Sequence, residues 1–121
     1  MDPKWNEDRP IYKQLRDLVV TMILEKVLDD GDALPSVRSI AKEYCLNPLT
    51  VLKSFQELSD EGLVEKKRGR GMFINKGARL ILLKNERKFF LEKEWPEVVS
   101  KIKRLDLRTK ELLLQTKIKS N

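Results

Sequence analysis

The chain of 121 residues has no histidine and one cysteine, Cys45. Without imidazole there is no His-based metal site, no Ser-His or Cys-His nucleophile pair and no imidazole acid–base catalyst. A single thiol builds neither a disulfide framework nor a multi-Cys zinc site. Aromatic residues make up only 7% of the chain and fall at core-like spacing rather than on a stacking platform, which counts against RNA binding. No apolar run approaches the roughly 18 residues needed to span a bilayer. The opening stretch, MDPKWNEDRP, lacks the basic-then-apolar order of a signal peptide. Low-complexity tracts and internal repeats are missing as well. No phosphate-binding loop can be assembled. These gaps argue against an enzyme and against any cofactor.

What is present is charge and a modest core. Hydrophobic residues account for 40% and charged residues for 36%, which predicts a soluble cytoplasmic protein with one compact domain and an appendage. The net charge is +6, and residues 78–121 alone hold twelve basic against six acidic side chains. A basic balance favours polyanion partners, nucleic acid above all. A tighter basic cluster is Lys66, Lys67, Arg68 and Arg70, interrupted by Gly69 and Gly71.

Along the chain, residues 10–28 read as an amphipathic helix, with Ile11, Leu15, Leu18, Val19, Met22 and Ile23 at three- and four-residue spacing. Asp8 and Pro10 make a cap and first-turn pair, and Asp29-Asp30-Gly31-Asp32 is turn chemistry. Ser36 predicts the cap of a short helix through about Tyr44, with Val37, Ile40 and Ala41 inward and Arg38 facing the other way. After the turn Cys45-Leu46-Asn47, Asn47-Pro48 signals a second start. That helix should run from Pro48 to Asp60, with Val51, Leu52, Phe55 and Leu58 inward and Gly62 as its stop. A strand at Leu63–Lys66, a basic glycine-bearing loop and a returning strand at Met72–Ile74 complete the pattern. The expected fold is mainly α with a small β-hairpin: a winged helix-turn-helix over residues 1–77. Residues 78–121 should add two or three helices, broken near Trp95-Pro96 and near Asp106–Thr109. Thr109 would cap the last, with Ile118 on its apolar face and Lys117 and Lys119 suiting its dipole.

Five ordered blocks carry a resemblance. They are Ile11-Tyr12-Lys13-Gln14-Leu15, Leu34 through Ala41 (LPSVRSIA), Asn47-Pro48-Leu49-Thr50-Val51, Glu61-Gly62-Leu63-Val64 and Arg68 through Ile74 (RGRGMFI). Together they resemble the DNA-binding domain of GntR-type bacterial transcription regulators. The short helical tail and the Asn-Pro start look like the YtrA subfamily. That resemblance implies a homodimer joined through the tail, and genes that often sit with membrane transporters. It also places Arg38 at the family's DNA-contacting arginine of the Pro-Ser-x-Arg motif. Cys45 stands where a glycine is common, and Leu49 and Leu52 where polar residues or arginine are frequent.

The residues themselves support the same site. A recognition helix presents its N-terminal residues to base edges and phosphates, here Asn47, Leu49, Thr50 and Lys53. Asn47 serves equally well as the helix cap. Leu49 is open to contact with a thymine methyl or to internal packing. Ser36 serves as cap first and phosphate donor second. Arg68, Gly69, Arg70 and Gly71 form a wing tip suited to phosphates or a narrow minor groove. Cys45, as a lone thiol, is expected to be inert packing. Leu80, Leu83, Phe89, Phe90, Trp95, Leu112 and Leu113 need cover, which a second copy would supply. The partners expected are double-stranded DNA and the chain itself, with no membrane. An effector of unknown identity would have to use the dimer interface, since the tail cannot enclose a pocket alone. The function expected is a sequence-specific repressor on a two-fold symmetric operator. The alternative is a winged-helix protein-interaction or scaffold module with no operator.

Overall fold

The computed structural model describes residues 4–119, with side chains to Gln115. Helix α1 (Ile11–Leu24) begins after Pro10, whose fixed φ of −56° presets the turn. Asp8 does not cap it. The Gln14 side chain ties the entry instead, donating to the Arg9 and Asn6 carbonyls at 2.8 and 2.9 Å. The helix stops at Leu24, four residues before the expected end. Lys26 takes a left-handed φ of 63°, and Arg79 Nε donates to the freed Leu24 carbonyl at 3.2 Å.

Helix α2 (Val37–Glu43) and helix α3 (Pro48–Asp60) follow the caps that the sequence offers, Ser36 and Asn47. Strands β1 (Val64–Lys67) and β2 (Gly71–Ile74) pair antiparallel, Val64 opposite Ile74 and Lys67 opposite Gly71. The segment after α1 runs along the other edge of β2. Leu34 N–H donates to the Met72 carbonyl, and Ile74 N–H donates to the Asp32 carbonyl, both at 2.8 Å. Two of the three turn aspartates accept backbone bonds, Asp32 from Asp29 N–H and Asp30 from Gly77 N–H.

The core lies between these elements. Leu15, Val19 and Ile23 of α1 meet Ile40 of α2, Val51, Phe55 and Leu58 of α3, and Leu63, Val64 and Ile74 of the hairpin. Ala78 and Leu82, from the first turns of helix α4 (Ala78–Phe89), join the same cluster. Ion pairs brace α1 on α3. Lys13 Nζ lies 3.1 Å from Glu57 Oε1, and the Arg16 guanidinium forks onto Glu61 with a second contact to Asp17. The hydrogen bond that Lys13 donates to Glu57 raises the Lys13 pKa, and the bonds that Arg16 donates to Glu61 raise that of Arg16.

Contacts within the chain divide it into two units, with the boundary between Leu83 and Lys84. In the second, the expected break at Trp95-Pro96 does not occur. A π-helical turn (Phe90–Glu94) passes directly into helix α5 (Trp95–Arg104), with Glu94 and Trp95 both in right-handed helical conformation. The wider turn removes the clash between the proline ring and the carbonyl four residues back. It also brings Phe90 and Trp95, five residues apart, to a ring separation of 6.1 Å. The expected second break is present, at Asp106 with φ 54°. Helix α6 (Thr109–Lys119) follows, with Thr109 as its first helical residue rather than its cap. The side chains of Lys117, Ile118 and Lys119 lie outside the described residues. No helix among the described residues is long and apolar enough to cross a membrane.

Candidate nucleic-acid interface

The extended Leu34-Pro35 step delivers Ser36 to the start of α2. Its hydroxyl accepts from Ser39 N–H at 3.0 Å and donates to Ser39 Oγ at 2.9 Å, so it is engaged as a cap on both sides. Two residues on, Arg38 is exposed and has no ion pair or hydrogen bond among the described residues. A guanidinium held out in this way, on a short helix, is available to an outside anion.

The turn between α2 and α3 passes through Cys45 at a φ of 53°, where glycine would be easier. Leu46 N–H closes it on the Ala41 carbonyl at 2.9 Å. The left-handed residue turns the thiol to solvent. Cys45 is exposed, and the expectation of a packed thiol is overturned.

At the start of α3, Asn47 Oδ1 accepts from Leu49 N–H at 2.9 Å, with Pro48 in the first turn. Leu49 is 71% exposed, which rules out internal packing within this chain. Leu52 is 54% exposed and not inward as the sequence pattern predicts. The inward position next to Phe55 belongs to the fully buried Ser54. Thr50 is half-buried. The outward stripe of α3 is therefore Leu49, Leu52, Lys53 and Gln56, at the three- and four-residue spacing of one helix face. Counting forward from Leu49 finds Leu52, which the sequence pattern placed inward, and Gln56, one turn beyond the expected site residues. Lys53 Nζ rests 4.2 Å above the Tyr12 ring, and Gln56 Nε2 donates to Asp60 at 2.9 Å.

The wing turn is closed by Arg70 N–H on the Lys67 carbonyl at 2.8 Å. Gly69 holds φ 74° at the third position of that turn, and Gly71 leaves it at 107°. Such values favour glycine, and no heavy atom approaches within 4 Å of where a Cβ would sit at either. Lys67 and Arg70 both lie over the Phe73 ring, at 4.8 and 5.6 Å. The ring supports the two cations at the base of the tip.

A cleft of about 400 Å³ separates α3 from the wing. It is lined by Leu34, Pro35, Ser36, Val37, Leu52, Phe55, Gln56, Ser59, Lys66, Arg70, Gly71 and Met72, with no acidic residue. It brings Ser36, Arg70 and Gly71 together around one opening. Arg38, Asn47, Leu49, Thr50, Lys53, Arg68 and Gly69 do not line it.

The other expected group, for dimerisation, lies on the tail. Leu80 is 71% exposed, Leu83 is half-buried, and Phe89, Phe90 and Leu113 are exposed. Trp95 sits at 37% and Leu112 is half-buried. No described residue after Leu82 is buried.

Residues 11–74, the stretch from α1 to the end of the wing, match the family described as bacterial regulatory proteins, gntR family. The chain belongs to the GntR family. Its sequence is 36% identical to the uncharacterised HTH-type transcriptional regulator YhcF of Bacillus subtilis, over 93% of this chain and 92% of that protein. It is 37% identical to the HTH-type transcriptional repressor YtrA of the same organism, over 71% of this chain and 65% of that one. A GntR family transcriptional regulator from Listeria monocytogenes has a similar structure, with a TM-score of 0.75 at 25% identity, covering 93% of this chain and 97% of that one. This GntR protein falls in the YtrA-like branch. It is a DNA-binding transcription regulator with a winged helix-turn-helix, not an enzyme.

Proposed function

We propose that this GntR regulator acts in the cytoplasm as a homodimeric repressor, each copy placing one winged unit on one half of a two-fold symmetric operator. Residues 1–77 are the DNA-binding part and residues 78–121 the dimerisation part. Arg38 and the first turn of α3 enter the major groove. Arg68 and Arg70 engage phosphate or the minor groove, with Gly69 and Gly71 allowing close approach, and Ser36 caps the helix that presents Arg38. Occupancy of a promoter is enough to repress it.

Support for the DNA face comes from an Arg38 with no partner among the described residues, an outward α3 stripe and a cation-bearing wing in a family of DNA-binding regulators. Support for the dimer comes from the tail, where Phe89, Phe90, Leu91 and Leu113 stay exposed in a single chain. One winged unit makes few specific contacts, and two half-sites on neighbouring turns multiply them. The resemblance to a protein described as a repressor favours repression.

The test is a binding selection from random duplex DNA, with enriched sites measured against scrambled duplex at two salt concentrations. A two-fold symmetric site should emerge, with affinity falling steeply as salt rises because phosphate contacts release counterions. Binding that ignores sequence would overturn the reading and favour a protein-interaction module.

A further inference from the structure

The leading stripe of α3 is unusual for a surface that reads bases. Its first two members, Leu49 and Leu52, are leucines three residues apart on one face, 71% and 54% exposed. Three of the polar side chains around them already have a group engaged within the chain. Asn47 Oδ1 holds the Leu49 N–H, the Lys53 amine lies over the Tyr12 ring, and the Gln56 amide is bonded to Asp60. Hydrogen-bonded base reading from this helix is left mainly to Thr50 and the Asn47 amide N–H groups. What it also offers is a pair of apolar side chains, and the major groove has one apolar group to match them, the C5-methyl of thymine.

We infer that Leu49 and Leu52 read thymine methyl groups, so that each half-site carries thymine at the positions these side chains meet. The inference rests on the operator-binding reading and adds the chemistry of its recognition. A protein or lipid partner would also cover two leucines, but the charge beside them favours a polyanion. Lys66 and Arg70 line the cleft next to Leu52, no acidic residue lines it, and Arg38 on the neighbouring helix has no partner among the described residues.

The experiment uses the full chain and the duplex enriched from the random pool, with each thymine replaced in turn by deoxyuridine. That exchange removes one methyl and keeps every hydrogen-bonding group. Affinity should fall about fourfold at each contacted thymine, the effect of leaving one methyl's worth of apolar surface uncovered. In the L49A or L52A protein, the loss at the corresponding position should vanish while the other losses remain. Both side chains are exposed, so thermal melting of the variants should match the parent.

If no thymine matters, or if the deoxyuridine losses persist unchanged in both variants, methyl reading is wrong although the protein still binds its site. If selection enriches no site at all, the operator-binding function fails first and takes this inference with it.

Discussion

Residues 4–83 and residues 84–115 obey the same local rules and end in opposite states. In the first stretch, helices and hairpin close on one another, and Leu15, Ile23, Val51, Leu58, Leu63, Ala78 and Leu82 are each at most 2% exposed. In the second, the backbone is as regular, yet no described side chain is buried. Helix-favouring composition gives the tail its secondary structure, broken among the described residues at Asp106, where φ is 54°. Stability of such helices in water comes mostly from packing an apolar face. The winged unit finds that packing within its own chain, whereas the tail shows its apolar residues to whatever comes next. Secondary structure is thus evidence of sequence pattern, and burial is evidence of what a single chain can finish.

The sharpest way to break this contrast is inside the winged core. Phe55, 2% exposed on α3, touches the centre of the cluster. Phe55→Ala should cost about 3–5 kcal/mol, a large share of the 5–15 kcal/mol typical of a folded protein. Chemical denaturation monitored by circular dichroism measures it. A loss below about 1 kcal/mol would mean that the core does not close in one chain as described.

Phe90, 44% exposed and set beside Trp95 in the π-helical turn, is the matching position in the tail. Phe90→Glu should weaken the proposed dimer by about 2 kcal/mol or more, the loss expected of a central aromatic at an interface. Sedimentation should show monomer at concentrations where the parent is dimeric, and affinity for a two-half-site duplex should fall with it. The winged unit should keep its fold. A dimer indifferent to this charge would place the interface elsewhere.

Arg38→Ala is next in size. Truncation removes no described contact, so melting should be unchanged. Operator affinity should fall by about 1–3 kcal/mol, the range for a well-placed arginine on a base, or by roughly five- to 150-fold. Filter binding on parent and variant measures it. Retained affinity would remove Arg38 from the interface.

How much of this was legible beforehand follows from which signals are local. Ser36, Asn47-Pro48 and the Gly69–Gly71 turn state their geometry in a few adjacent residues, and α2, α3 and the wing fall where those residues put them. Leu52 defeated the pattern because a polar residue, Ser54, holds an inward position, and hydrophobic periodicity does not see a buried serine. The end of α1 comes at a left-handed Lys26 whose side chain does not announce it, closed by Val27 N–H on the Met22 carbonyl, with a further bond to Leu24 from Arg79, more than fifty residues away in sequence. Pro96 marks a helix break by its own chemistry, but the preceding π-helical turn absorbs it. Cys45 gives no local hint of a left-handed backbone. At the site, residue types and spacing pointed to the α3 start and the wing. Which of those side chains were already occupied, as Asn47, Lys53 and Gln56 are, depends on neighbours in space.

The smallest predicted effect sets one serine from each region side by side. Ser54 is 0% exposed in the middle of α3, and its Oγ has no hydrogen-bond partner among the described residues. Burying an unsatisfied hydroxyl costs free energy that alanine does not, and alanine also favours the helix. Ser54→Ala should therefore stabilise the winged unit by about 1 kcal/mol, raising its melting temperature by several degrees. DNA affinity should stay the same because the side chain faces inward. Ser100, exposed on α5, is the control. Ser100→Ala changes helix propensity alone, about 0.5 kcal/mol, with no desolvated group to relieve. Differential calorimetry on the two variants reads both. If Ser54→Ala gains no more than Ser100→Ala, the Ser54 hydroxyl has found an acceptor, and the winged core holds one polar bond more than its geometry implies.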